Sequence, residues 1–192
     1  MNFSLCLAAC LALFASLPVW SANYGVLQPE QSRVSFVSKQ MGVPVNGQFR
    51  RFNSQIAFDP ARPEAAQARL EVDLASVDAG SREANDEVVG KDWFFVKNFP
   101  VAVFEARRIK PLGGNRFEVA GSLTIKGRSK DVTAQVTFME AGGIGSFDAG
   151  FTLKRLDFAI GEGPWGDPGT VADAVQVIVK LALRPQTEKA GR

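Results

Sequence analysis

The sequence predicts an all-β fold of eight antiparallel strands, with one short helical insertion between the third and the fourth. Three observations predict it. Apolar and polar residues alternate at period two through most of residues 33–183. The gaps between most alternating runs are turn-like and too short for the helical crossover that parallel strands need. Only one interval, 78–97, carries a helical pattern.

The first strand, 33–39, puts Val34 and Phe36 on one face. The second, 48–58, aligns Phe52, Ile56 and Phe58, leaves Phe49 out of phase, and predicts a bulge at Arg50-Arg51. The third aligns Ala68, Leu70, Val72 and Leu74 against Arg69, Glu71 and Asp73. Then comes the insertion: SREANDEVVG predicts a short helix ended by Gly90, followed by the aromatic run Trp93, Phe94 and Phe95. The fourth strand, 100–109, carries Ala102, Phe104 and Ala106. Four longer runs follow, whose apolar faces begin at Phe117, Val132, Phe147 and Val175. Asp59-Pro60, Gly113-Gly114-Asn115, Lys126-Gly127 and Gly142-Gly143 supply turn residues between them. Such a sheet either folds into a sandwich or closes into a barrel, and periodicity does not choose between the two.

Composition narrows the chemistry. There is no histidine, and the two cysteines, Cys6 and Cys10, both lie in the first apolar stretch. Beyond that stretch, His- or Cys-based zinc sites, Ser-His-Asp triads, cysteine nucleophiles and disulfides are excluded. A net charge of +2, without charge runs, predicts no nucleic-acid partner. Carboxylates, Lys, Tyr24 and hydroxyls remain for chemistry; a carboxylate enzyme would draw on Asp86, Glu87 and Asp92, but their spacing forces no convergence.

Residues 1–22 read as a secretory signal peptide: an apolar run over 3–17, a break at Pro18, and the small pair Ser21-Ala22 before the expected cut. No Lys or Arg precedes the run. A membrane anchor and a lipobox at Leu7-Ala8-Ala9-Cys10 are the competing readings. The expected organisation is a signal peptide at 1–22, a barrel domain at 23–185 and a polar tail at 186–192, with a periplasmic location.

From about residue 24 to 183 the chain resembles the YceI-like family of bacterial polyisoprenoid-binding, lipocalin-like proteins. The likeness rests on RVSFVSKQMGVPVNGQFRRFNSQIAFDP, LEVDLASVDAG, DWFFVKNFPVAVFEA, VAGSLTIKGRSKDVT, FTLKRLDFAIGEG and VADAVQVIVKLAL, in that order. Gln40 stands where many members carry His, Ala79 where Thr is common, and Gly90-Lys91 where Arg-Ser is more usual. The resemblance implies a lipocalin-like barrel around a long apolar cavity, a non-enzymatic function, and a ligand that is a polyprenyl phosphate or a prenylated quinone. No cofactor beyond that lipid is expected. Transient contact with a membrane or a membrane cytochrome, in a monomer or homodimer, is the partner expectation. The alternative is a structural or stress-related barrel with a filled core, acting through protein contacts.

A prenyl tail needs a long, dry channel with a polar mouth. The candidate wall residues are the inward-phase Phe36, Phe104, Leu123, Phe151 and Phe158. Trp93, Phe94 and Phe95 are candidates for a plug or portal, and Trp165, set among Gly and Pro, for a lid. Core packing is the competing reading for each, and for Trp165 so is a plain surface aromatic. Arg155 falls in the inward phase, so it must pair with an acid such as Asp157 or Asp173 or else bind an anionic head. Lys126 and Arg128, on a tight turn, are expected in solvent, and Gly161-x-Gly163 lacks the third glycine of a dinucleotide fingerprint.

Overall fold

Alternating side chains commit each strand to one wet face and one apolar face, and the chain buries the apolar faces by curling a single antiparallel sheet on itself. The computed structural model describes residues 22–186. Among these, the strands are β1 (Tyr24–Leu27), β2 (Arg33–Gln40), β3 (Val43–Phe49), β4 (Phe52–Ala57), β5 (Gln67–Asp73), β6 (Val77–Asp78), β7 (Val101–Gly113), β8 (Arg116–Ile125), β9 (Arg128–Ala141), β10 (Ile144–Lys154) and β11 (Ala174–Pro185). One helix, α1 (Arg82–Val88), lies between β6 and β7. The order across the sheet is β4-β5-β7-β8-β9-β10-β11-β2-β3-β6, with β1 paired to β11. This is the curled, lipocalin-like antiparallel fold expected from the sequence, with eleven strands in place of eight.

The three additional strands have specific causes. β1 is a four-residue strand that closes one end: Tyr24 exchanges backbone hydrogen bonds with Phe58 at 2.8 and 3.0 Å, while the rest of β1 runs along β11. The predicted bulge at Arg50-Arg51 is a full break. β3 pairs with β2, and β4 pairs with β5, at opposite edges of the sheet. The corner is pinned by Arg50 N–H on the Ser76 carbonyl, Arg51 N–H on Ser76 Oγ, and ion pairs Arg50–Asp78 and Arg51–Asp73, both 2.8 Å. The break explains why Phe49 is out of phase with Phe52. The third strand, β6, is a two-residue pairing on β3.

α1 begins where the sequence places it. Ser81 Oγ accepts from Ala84 N–H at 3.1 Å as the N-cap, and the chain turns at Gly90 after the C-cap Val89. The signal peptide expected over 1–22 lies, apart from Ala22, outside the described residues, as does the expected tail beyond Gln186.

Candidate functional site

The inward faces do not meet in a solid core. They enclose a cavity of about 590 Å³, within the usual range for a small-molecule site. It runs from Phe58 and Phe117 at one end to Glu87 and Trp165 at the other. The wall is almost wholly apolar, and a filled barrel is therefore not what this sequence builds.

Glycine explains part of the hollow. A Cβ on Gly47 would meet the Phe36 ring at 2.2 Å, and one on Gly121 would meet the Phe104 ring at 2.7 Å. The tip of each ring thus fills the space that a side chain on the neighbouring strand would take. Phe36 and Phe104 line the cavity from these positions.

The two ends differ. At the closed end Tyr24, Phe58, Phe117, Phe138 and Phe147 stack edge-on or tilted, with Phe58 centroids 5.5, 4.9 and 5.1 Å from Phe117, Phe138 and Phe147. Burial, and then the neighbouring Glu140 carboxylate, push the Tyr24 phenol up to about 12. The opposite end is the mouth, because the exposed residues Gln40, Glu83 and Glu87 line the cavity there. Trp93 and Trp165 sit at this end with ring centroids 5.7 Å apart, and Trp165 Nε1 donates to Glu87 Oε1 at 2.7 Å.

Arg155 organises the mouth. It is 1% exposed, and its guanidinium spends all five N–H donors on backbone carbonyls. Nη1 donates to Ile160 and Gly161, Nη2 to Trp165 and Val171, and Nε to Ala172, at 2.7–3.2 Å. Its charge lies 5.9 Å from the Trp93 ring centroid. Desolvation lowers its pKa, opposed by the charges of Asp173 and Asp167. Both sequence alternatives for Arg155 are therefore corrected. It forms no ion pair with Asp157 or Asp173 and has no donor left for an anionic head. Asp173 is used locally instead, accepting from Leu156 N–H at 3.0 Å. Lys126 is corrected too: its side chain is 8% exposed, donating to the Ala159 carbonyl at 2.6 Å and pairing with Glu162 at 3.0 Å.

Of the ten candidate residues, Phe36, Trp93, Phe94, Phe104, Leu123, Phe151, Arg155 and Trp165 line the cavity. Phe158 does not. It is 1% exposed, inside the packed core beside Ile160 and Leu153. Phe95 also faces elsewhere, with φ +51 and its ring against Phe99 at 6.1 Å. Sequence reasoning did not single out the mouth residues Ser38, Gln40 and Glu83 as lining, although Gln40, Ala79 and Gly90-Lys91 were the departures from the family pattern. Gln40 and Ala79 line the cavity, and Gly90-Lys91 follows α1 at its edge. The carboxylates Asp86, Glu87 and Asp92 do not converge: Glu87 holds Trp165 and Asp86 faces Arg82 at 3.8 Å. Among the described residues no group of three His, Cys, Asp or Glu side chains could hold a metal ion.

The YceI-like domain family matches residues 26–183. The chain belongs to that family. Burkholderia cenocepacia BcnA is 44% identical, with a TM-score of 0.79 over 81% of this chain and 98% of its own. An Azotobacter vinelandii protein designated UPF0312 is 29% identical over 88% of this chain and 91% of its own length. A polyisoprenoid binding domain from Saccharophagus degradans, implicated in plant cell wall breakdown, shares the fold at 17% identity and a TM-score of 0.68, covering 86% of this chain and 99% of its own.

Proposed function

We propose that this protein binds a long isoprenoid lipid in its barrel and stores or carries it in the periplasm, without catalysing a reaction. The observation that carries the reading is the apolar cavity running from an aromatic floor to a polar mouth. A prenyl chain offers almost no hydrogen bonds, so it suits a wall that asks for none. Each buried methylene contributes about 0.8 kcal/mol before the cost of ordering the tail is subtracted. The polyisoprenoid-binding relative from Saccharophagus degradans supports the same class of ligand.

Electrostatics favours a prenylated quinone over a polyprenyl phosphate. Among the described residues, the two cationic side chains that line the cavity are both committed: Arg155 to five carbonyls, and Arg69 to Glu71 and Glu105. The acids that line the mouth, Glu83 and Glu87, would repel a phosphate. A neutral quinone ring meets no such charge.

Exchange of so apolar a ligand calls for membrane contact, and the β2–β3 hairpin suits it. Met41 and Val43, 70% and 64% exposed, project beside the mouth residues Gln40 and Val45. The test is native mass spectrometry of protein purified from its own periplasm, followed by lipid extraction. A stoichiometric prenylated quinone is the expected result. Protein that stays bare after exposure to membrane lipid extract would sink the carrier reading, and a polyprenyl phosphate would overturn the head-group argument alone.

A further inference from the structure

The two sides of the mouth are held in different ways. Residues 159–172 are clamped. Arg155 binds five of the carbonyls at 160–172, Lys126 holds Ala159 and Glu162, and the Asp92 carbonyl accepts from both Gly161 and Glu162 N–H at 2.8 Å.

Facing them, α1 contributes Glu83, Ala84, Glu87 and Val88 to the cavity wall yet fully buries no side chain. At its N-terminal end Ser81 caps Ala84 and would travel with the helix, while Asn85 Oδ1 accepts from Ala79 N–H, a bond that reaches back across Gly80 and must yield when the helix swings. Gly80, just before it, takes φ +98, and a Cβ there would meet nothing within 4 Å, so no packing at that point resists a swivel. Phe94 and Val96 N–H hold the carbonyls of Val88 and Val89, which makes that end the pivot. Strain collects beside the pivot, where Phe95 has φ +51 and the Trp93 indole N–H is buried without a hydrogen-bond partner. Among the described residues, the hydrogen bond joining α1 to the clamped loop is Trp165 Nε1 to Glu87 Oε1, at 2.7 Å.

We infer that α1 is the door of the cavity, latched by Glu87 against a fixed jamb that carries Trp165, and that release of the latch lets α1 tilt out and an apolar chain pass. Trp165 is thus the stationary half of the closure and the helix is the moving half. The inference rests on the lipid-carrier reading, but it also makes a claim about the empty protein.

The test uses the full mature chain and two readouts. One is amide hydrogen exchange across residues 82–89 in ligand-free protein. The other is release of the neutral apolar fluorophore N-phenyl-1-naphthylamine, followed by stopped flow. Glu87→Ala and Trp165→Phe each remove one partner of the bond, so each is expected to speed both processes by about three- to tenfold. The double variant should add little to either, while Glu87→Gln, which keeps the acceptor, should stay near wild type. Exchange at 82–89 and release both unmoved by Glu87→Ala would overturn the door. So would a change in fluorophore affinity confined to Trp165→Phe, which would make Trp165 a wall contact. Should wild type take up no fluorophore, the carrier reading suffers, and the exchange arm alone decides the door.

Discussion

The closed end and the mouth use opposite means to hold the same barrel. At the closed end the chain is stabilised by aromatic contact: Tyr24, Phe58, Phe117, Phe138 and Phe147 fill the space where β1 stitches β11 to Phe58. At the mouth, order comes instead from a buried charge that gathers backbone carbonyls. Hydrophobic contact tolerates small shifts, because it has no direction. A five-donor guanidinium tolerates few. The floor is therefore robust and featureless, whereas the jamb is rigid and geometrically exact enough for a helix to close against.

The largest effect expected from breaking this contrast is at Arg155. Arg155→Met removes the buried charge but strands five carbonyls in an apolar setting, and should cost on the order of 4 kcal/mol in urea unfolding. Arg155→Lys should recover little, since an ammonium has three donors and no planar fork. Destabilisation within about 1 kcal/mol of wild type would mean the carbonyls find water instead, and that the clamp is not what orders the loop.

A matched pair of truncations sharpens the comparison next. Phe58 is 4% exposed and touches three other rings, so Phe58→Ala should leave a cavity and cost about 3–5 kcal/mol. Phe36 is only partly buried and lines the hollow with its ring tip over Gly47, so Phe36→Ala should cost about 1.5 kcal/mol. Its larger consequence should be weaker uptake of an apolar ligand. Equal losses of stability at both positions would show that the lumen is packed as tightly as the floor.

What the sequence revealed divides along the same line. Strand faces were legible because period two places every other side chain inward, and the pattern of Phe147, Ala149, Phe151 and Leu153 holds residue for residue in β10. β1 was not legible: YGVL is too short to alternate, and its role depends on a partner 34 positions away at Phe58. The inward phase of Arg155 was readable, but its partners were not. Backbone carbonyls carry no side-chain signature, so an acid was the natural guess for a buried cation. Nor could periodicity distinguish a hollow barrel from a filled one. That choice turns on where rings such as Phe36 and Phe104 find room, which Gly47 and Gly121 supply from neighbouring strands.

The last test lies at the floor and needs alkaline pH to show it. Tyr24 is the one tyrosine in the chain, so absorbance of tyrosinate reports it alone. Its folded pKa is raised from 10.0 to about 12. Below pH 10 both folded and unfolded chains keep the proton, and the contribution to stability is fully present. Between 10 and 12 the unfolded chain releases its proton while the folded chain retains it, so stability falls as pH rises through that window. Tyr24→Phe should abolish this part of the alkaline loss and leave the stability near pH 7 almost unchanged. A tyrosinate midpoint near 10 in the folded protein would mean water reaches the floor. The contrast between a dry, sealed end and a gated one would then fail at its base.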